Sequence, residues 1–445
     1  MDIIVIGGIA AGMSVAAKAK RENPNANVLV FEKEDYISFG ACGLPYYLGN
    51  QFEDENEMFA RTPEQIEKTG IQLHLKHEVV DVDFDKKLVT AKDLKVDKTS
   101  DFNYDKLMIA TGATPIIPPI KGIDSENVYT ITKLYDVNRL KNNLENYKRI
   151  VIIGGGFIGV EVAEQLAHLN KEIHIVEAMD DIMAGPFDEA YSKEIQKALE
   201  EIGVKVHTSE MAQEFITEAN HVIAVQTSNQ KIETDAVIVS VGFRPNTSIF
   251  KDKLEMLGNG AIITNEYGQT SVKDVFSAGD CASIKHKFSG DQYIPLATYA
   301  NKMGRIIGTN IATDNQDDWI KFNGALGSSL IKVGNYEAGS TGLTEKNAKD
   351  LGLNIKTTTI FANNHSNYYP NQEKIMIKLV YDAKNFVLYG AQVFGKAEAA
   401  LRLHALTTAI YAGLTTKEIG FIDYAYAPPF ASTWEAINIA ANTAK

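Results

Sequence analysis

Two stretches of the chain share one plan: an apolar strand, a glycine-rich turn, a helical pattern, then a second strand ending in glutamate. In the first, Asp2–Ile6 enters Gly7-Gly8-Ile9-Ala10-Ala11-Gly12, a helical pattern covers Met13 to about Arg21, and Val28–Phe31 ends at Glu32. In the second, Arg149–Ile153 enters Gly154-Gly155-Gly156-Phe157-Ile158-Gly159, a helical pattern covers about Val160 to Leu169, and Ile173–Val176 ends at Glu177. An acid about 20 residues beyond such a turn is the spacing of a dinucleotide fingerprint. Gly7 permits the tight turn and Gly12 lets helix and strand approach. The helix N-terminus faces a pyrophosphate, and the acid accepts from a ribose hydroxyl. Taken singly the first turn is ambiguous: Ile9 replaces the middle glycine, and α/β proteins of other kinds also use glycine-rich turns. The second copy is intact. Two fingerprints imply two dinucleotides, with electrons passed between them. Glu177, followed by Ala178 and Met179 and no arginine, favours NADH, with NADPH the second candidate, because a 2′-phosphate would meet a negative charge.

Other chemistry-bearing residues lie between and beyond these units. The stretch Ile37-Ser38-Phe39-Gly40-Ala41-Cys42-Gly43-Leu44-Pro45-Tyr46-Tyr47 holds one of only two cysteines. No resolving cysteine follows nearby. A redox-active Cys42 would therefore cycle alone, as thiolate and then as mixed disulfide or sulfenic acid. The alternative is a small buried hydrophobe, the common fate of a free thiol, and Cys281 is read that way. Tyr104–Ala113 reads as a strand with the turn Ala110-Thr111-Gly112, nearly repeated at Thr234–Asn246 around Gly242. A further apolar run ends at Gly279-Asp280, where the carboxylate either accepts from a flavin's ribityl hydroxyls or closes a turn. Pro295-Leu296-Ala297-Thr298 opens a helix that carries Asn301. From about residue 323 β-rich runs take over at Ser329–Val333, Lys356–Phe361, Lys374–Tyr381 and Phe386–Phe394, with helices near Ala397–Tyr411 and Thr416–Gly420. This tail reads as an α+β domain of about 120 residues.

Composition sets outer bounds. The 445 residues carry 44 Lys plus Arg against 57 Asp plus Glu, a formal charge of −13. That balance lacks the basic face a nucleic-acid partner requires. No apolar run is long enough to span a bilayer, so no membrane role is expected. Two cysteines and a strand pattern from the first residues point to a cytoplasmic protein. Of nine histidines only His74 and His77 share ligand spacing, with no thiol to complete a site, so no metal is expected.

With these motifs the chain resembles the single-cysteine pyridine nucleotide–disulfide oxidoreductases, the group of coenzyme A (CoA)-disulfide reductases, NADH oxidases and NADH peroxidases. The resemblance implies an α/β fold. Two Rossmann-like domains, for FAD and NADH, precede a C-terminal α+β dimerisation domain. The implied boundaries are 1–117 and 247–322 for the FAD domain, 118–246 for the NADH domain and 323–445 for the last. Nucleotide contacts are implied at Gly7, Gly8, Ala11, Gly12, Glu32, Lys33, Ser38, Cys42, Val79, Ala110, Thr111 and Gly112. They continue at Gly154, Gly156, Phe157, Ile158, Gly159, Glu177, Gly242, Gly279, Asp280, Pro295, Leu296, Ala297, Thr298 and Tyr426.

Within the group, peroxidases and water-forming oxidases carry a histidine in the first glycine loop, where this chain has Ile9-Ala10-Ala11. Cys42-Gly43-Leu44-Pro45-Tyr46-Tyr47, Asn367-Tyr368-Tyr369-Pro370 and Ala425-Tyr426-Ala427-Pro428-Pro429 look like the CoA-disulfide reductases. There Tyr368 and Tyr426 would come from the partner of a homodimer and close over Cys42. Ser14, Lys18 and Arg21, with Lys20 beside them, resemble part of a CoA clamp, or else form a solvated basic face. Ser38, Asn301 and Trp434 are the remaining implied substrate contacts. Departures are Ala41 for an asparagine, Asn301 for a histidine and Trp434 for a lysine; the tail around Trp434 resembles the oxidases and peroxidases more.

The implied reaction takes hydride from NADH through FAD to sulfur. A low-titrating Cys42 thiolate attacks CoA disulfide, and CoA remains as an adduct on Cys42. Tyr426 and Tyr368 serve the leaving group, and a further electron pair frees the second CoA. The rival is an NADH oxidase: O2 meets the reduced flavin, and Cys42 reduces the resulting peroxide through a sulfenic acid. A flavoprotein that only senses redox state has little need of the second fingerprint.

Overall fold

A computed structural model describes residues 1–445. The chain divides into two compact units: Met1–Gly43, Glu53–Pro115 and Phe243–Ala325 in one, and Leu44–Phe52, Ile116–Gly242 and Leu326–Lys445 in the other.

The first unit is built on a parallel sheet in the order Val275–Ser277, Lys106–Ile109, Asp2–Ile6, Asn27–Glu32, Ile71–Leu75. Its central strands are apolar along their middles because both faces are covered, whereas the edge strand Ile71–Leu75 carries Gln72 and His74. Strand alternation sorts Asp2–Ile6 between two cores. Ile3 and Val5 pack with Val15, Ala19, Met303 and Ile307 of the helices Ala10–Glu22 and Ala297–Ile311. Ile4 and Ile6 pack with Val82, Val89 and Phe250, under a three-stranded antiparallel sheet spanning His77–Asp83, Leu88–Asp93 and Lys98–Asn103.

The second unit repeats the plan. Its parallel sheet runs Lys205–His207, Glu172–Val176, Arg149–Ile153, Ala236–Val239, Val128–Tyr129, and a three-stranded meander, Ala212–Glu218, His221–Thr227 and Lys231–Glu233, covers one face. The same unit holds a five-stranded antiparallel sheet in the order Ser329–Val333, Tyr336–Gly342, Leu388–Lys396, Lys374–Asp382, Ile355–Asn363. The helices Leu403–Ala412 and Ala436–Asn442 pack on it. No helix is long and apolar enough to cross a membrane.

Three local expectations change. Both fingerprint helices begin nearer their glycine turns than periodicity alone places them, at Ala10 and Phe157. The strand Tyr336–Gly342 carries no large aliphatic residue. Its small side chains suit the crowding, since a Cβ at Gly339 would lie 2.7 Å from Leu330 and 3.0 Å from Leu403. The helix expected from Ala397 starts at Leu403, because Ala397 and Glu398 turn the chain through the left-handed region, at φ +50° and +66°.

Candidate functional site

In the first unit, Gly7, Gly8, Ala11, Gly12, Glu32, Ser38, Ala110 and Gly279 of the predicted nucleotide residues meet at the first glycine turn. Gly7 sits at φ +106°, and any Cβ there would collide with the Ala110 carbonyl. Ala110 in turn donates to Ile6, so the Ala110-Thr111-Gly112 turn lies along the glycine loop. Gly279 packs against Ala11 and Ala300, bringing Asp280 and the helix that opens at Pro295-Leu296-Ala297-Thr298 to the same loop. The Glu32 carboxylate accepts from the Gly8 amide at 2.6 Å and the Glu34 amide at 2.8 Å. Ser38, at φ +54°, donates its amide to the Gly8 carbonyl at 2.9 Å and ties the cysteine segment to this turn. Lys33 pairs with Glu78, and Val79 is packed in the core beneath the antiparallel sheet.

Cys42 is exposed, in a single turn Ala41–Gly43, four residues from Ser38 in sequence. Upstream, Tyr36, Phe39 and Phe59 cluster with centroids 5.2–5.4 Å apart and pin the segment. Cys281 is fully buried. Burial pushes its thiol upward, while the Ser277 hydroxyl and the Thr111-Gly112 backbone oppose this.

The proposed substrate residues Ser14 and Asn301 meet directly, the serine hydroxyl donating to the asparagine carbonyl oxygen at 2.9 Å. The helices allow this because they touch through glycine: a Cβ at Gly304 would lie 2.6 Å from the Ser14 Cβ and one at Gly308 2.6 Å from the Lys18 Cβ. Lys18 is paired with Glu22, and Arg21 is exposed in the last turn of the same helix.

In the second unit, the Glu177 carboxylate accepts from the Gly155 amide at 2.6 Å and from Met179 at 2.8 Å, repeating the Glu32 arrangement. Gly159 lies against the Gly154 carbonyl and Ser240, and Gly242 turns the chain at φ +104°. Neither fingerprint helix has a side-chain cap or an acid in its first turn, so the amides of Gly12 and of Phe157–Gly159 face their loops. Glu161, one turn further on, escaped the sequence reading. It is largely buried beside Tyr46, and burial pushes its carboxyl up to about 7, against the Tyr46 hydrogen bond.

Tyr368 and Tyr426 are both exposed, with hydroxyls 2.8 Å apart. Tyr426 is held below the usual phenol range, chiefly by the hydrogen bond from Tyr368, and Tyr368 is raised by the same contact. Trp434 is exposed and meets Phe421 edge to face. These three belong to the second unit, whereas Cys42, Ser14, Lys18, Arg21 and Asn301 belong to the first. His365 is buried, with Tyr369 edge-on at 5.4 Å.

A model of the pyridine nucleotide-disulphide oxidoreductases matches residues 1–304, and a model of that family's dimerisation domain matches 328–437. An NADH oxidase of Enterococcus faecalis is 34% identical over 100% of this chain and 99% of its own length. A CoA-dependent NAD(P)H sulfur oxidoreductase of Pyrococcus furiosus is 36% identical over 100% of this chain and 99% of its own. The structure of a water-forming NADH oxidase from Lactobacillus brevis, bound to NADH, superposes with a TM-score of 0.96 at 32% identity, covering 100% of this chain and 98% of that one. The chain belongs to the pyridine nucleotide–disulphide oxidoreductase family and is an NAD(P)H-dependent flavin oxidoreductase of the kind that includes CoA-dependent sulfur reductases and NADH oxidases.

Proposed function

We propose that the chain reduces CoA disulfide to two CoA thiols with NADH as reductant, through Cys42, in a homodimer. The observation that carries this reading is the exposed phenol pair Tyr368–Tyr426, in a chain whose one accessible thiol is Cys42. The CoA dependence of the Pyrococcus furiosus relative supports it.

The first unit fits FAD. Gly7 and Gly12 let the Ala110 and Gly7 carbonyls close against the turn, the helix that follows starts with uncapped amides suited to a pyrophosphate, and Glu32 stands at the ribose position. Asp280 is largely buried and raised by that burial, and the nearby Tyr293 hydroxyl is buried without a partner; a ribityl chain would satisfy both. Bound there, FAD would supply two-electron transfer from nicotinamide to sulfur. Glu177 would hold the NADH ribose, and the amides of Phe157–Gly159 its pyrophosphate.

The Cys42 thiolate attacks one sulfur of the disulfide. A Cys42–CoA bond forms, the CoA–CoA bond breaks, and a CoA thiolate leaves. Tyr426 hands that thiolate a proton and recovers one from water, to which it is open. Two electrons and a proton from NADH then release the second CoA and restore the Cys42 thiolate. Ser14, Asn301 and Arg21 would orient the CoA on the paired helices, and Ser38 the loop before Cys42.

A second reading, NADH oxidase, is favoured by the two NADH oxidases above and by the Trp434 tail. NADH consumption in air-free buffer, with and without CoA disulfide, separates the two. Disulfide-dependent turnover that Cys42→Ser abolishes is the expected result; NADH consumption only after air is admitted would make the chain an oxidase.

A further inference from the structure

In the second unit His174 and His207 share one hydrogen bond, with Nδ1 of the first 3.0 Å from Nε2 of the second and the rings nearly parallel. The other nitrogen of each ring has a partner of fixed polarity. His174 Nε2 faces the Glu172 carboxylate at 3.3 Å, so it carries a proton. His207 Nδ1 faces the side-chain nitrogen of Gln230 at 3.1 Å, and that nitrogen also points at the Glu210 carboxylate at 3.3 Å, so it is a donor to both. His207 Nδ1 is therefore bare. The hydrogen bonds then run one way: Gln230 donates to His207, His207 to His174, and His174 to Glu172. Both imidazoles are neutral in this chain. Burial acts in the same direction, holding both rings below the usual histidine range against the pull of Glu172 and Glu210. The charged groups facing the pair are Glu172 and Lys205, on the strands that carry it, and Glu210 just beyond. The strand Arg149–Ile153 sets Val151 beside His174, the meander supplies the neutral Gln230, and no charge of the helix Glu189–Glu201 acts on the pair.

The backbone at one end of this chain seats the second fingerprint's acid. The Glu177 amide donates to the His207 carbonyl at 2.8 Å, and the Glu177 carbonyl accepts from the Glu210 amide at 3.0 Å. Between them, the Ser209 amide donates to the Met179 carbonyl at 2.8 Å and its hydroxyl to Asp180 at 2.7 Å. The Glu210 carboxylate is itself anchored by the Thr227 hydroxyl and Gln230. His207 and Glu210 thus grip Glu177 from both sides of its peptide, while its carboxylate stands on the Gly155 amide.

We propose that His174 and His207 are positioning residues for the NADH ribose: the neutral pair holds the Glu177 turn in its binding form, and a proton arriving on the pair withdraws it. Wherever that proton enters, the shared hydrogen bond leaves His207 Nδ1 as a donor, facing the donor of Gln230. The acceptor at hand is Glu210 Oε2, 3.9 Å away. Closing that gap by about 1 Å, to the length of a charge-assisted hydrogen bond, draws together the two residues that grip Glu177. The Glu177 carboxylate leaves the register set by the Gly155 amide, and the dinucleotide binds more weakly. The inference rests on the reading that Glu177 holds the NADH ribose; it does not depend on the electron acceptor.

The test is calorimetric binding of NAD+ to the holoenzyme between about pH 5 and 8, the range in which histidines titrate. NAD+ carries the same ribose as NADH and does not reduce the flavin. The wild-type Kd should rise severalfold toward the acid end, the scale of one hydrogen bond lost from the turn. His174→Gln, which accepts and donates like the neutral ring but takes no proton, should remove that rise. Glu161 titrates in the same range and is common to both proteins, so the difference between their profiles belongs to the pair. A wild-type Kd that does not rise, or one that rises equally in His174→Gln, overturns the proposal. Should His174→Gln fail to fold, the exposed Gln230→Glu replaces it: a carboxylate beside His207 Nδ1 favours the added proton, so the rise should move to higher pH, and an unmoved rise overturns the proposal instead. Glu177→Ala separates the two layers of the argument. Weaker NAD+ binding in that variant, beside a flat wild-type profile, would keep the ribose reading and overturn the histidine role alone. Binding as tight as wild type at about pH 8 would remove the ribose reading and the proposal with it.

Discussion

Cys42 and Cys281 are the same side chain in opposite surroundings. One is exposed in a tight turn, and the other is fully buried with its thiol pushed upward by burial. A charged alkylating reagent should label the native protein once, at Cys42, and reach Cys281 only after unfolding. Peptide mass spectrometry checks this, and rapid labelling of Cys281 in the folded protein would contradict the burial. The sequence made this contrast legible, because Cys42 follows a nucleotide loop whereas Cys281 ends an apolar run. Glu161 was not legible. A glutamate one turn into a helix reads as solvated, and its partner Tyr46 lies 115 residues away. Its raised carboxyl carries a stability prediction. The folded state holds this proton to about pH 7 and the unfolded state only to its ordinary value of 4.5, so stability falls as pH rises between these limits. The loss is about 2–3 kcal/mol, discounted for partial exposure. Glu161→Gln should remove that slope. The difference in urea midpoints between wild type and variant, followed across this window, measures it; parallel curves would place Glu161 in water.

At the scale of elements, the two βαβ units were readable because strand, turn and helix are contiguous in sequence. The contacts between elements were not. His174 and His207 are 33 residues apart, yet their rings stack with Nδ1 and Nε2 3.0 Å apart because Glu172–Val176 and Lys205–His207 are adjacent parallel strands. No spacing rule finds a pair created by register. The helix pair Ala10–Glu22 and Ala297–Ile311 is a further case. Gly304 and Gly308 are where the second helix meets Ser14 and Lys18, a contact that only the folded pairing of the two helices reveals. Gly304→Val must push the helices apart, since even the first carbon would lie 2.8 Å from the Ala11 carbonyl. Overpacking of this kind costs about 1–3 kcal/mol. It should break the Ser14–Asn301 hydrogen bond and raise KM for CoA disulfide severalfold while Cys42 alkylation stays intact. A KM equal to wild type would remove these helices from the substrate site.

At the scale of the molecule, the C-terminal region matches a dimerisation domain and carries exposed aromatics that a solvated surface would not favour: Phe361 is 69% exposed, Phe421 75% and Phe430 71%. A second copy of this chain is the partner such a surface fits. Two-fold symmetry then makes a sharp prediction, because each active site would take Cys42 from one protomer and the phenol pair from the other. Cys42→Ser homodimers lack every nucleophile, and Tyr368→Phe/Tyr426→Phe homodimers lack every phenol pair. A mixed dimer, isolated through two different affinity tags, would hold one site with both lesions and one with neither. It should recover about half of the wild-type kcat, although both parents are impaired. A site built within a single chain distributes the lesions differently: every site of the mixed dimer carries one, and activity stays at the level of the parents. Measuring turnover of that mixed dimer decides whether dimerisation only stabilises the fold or completes the chemistry.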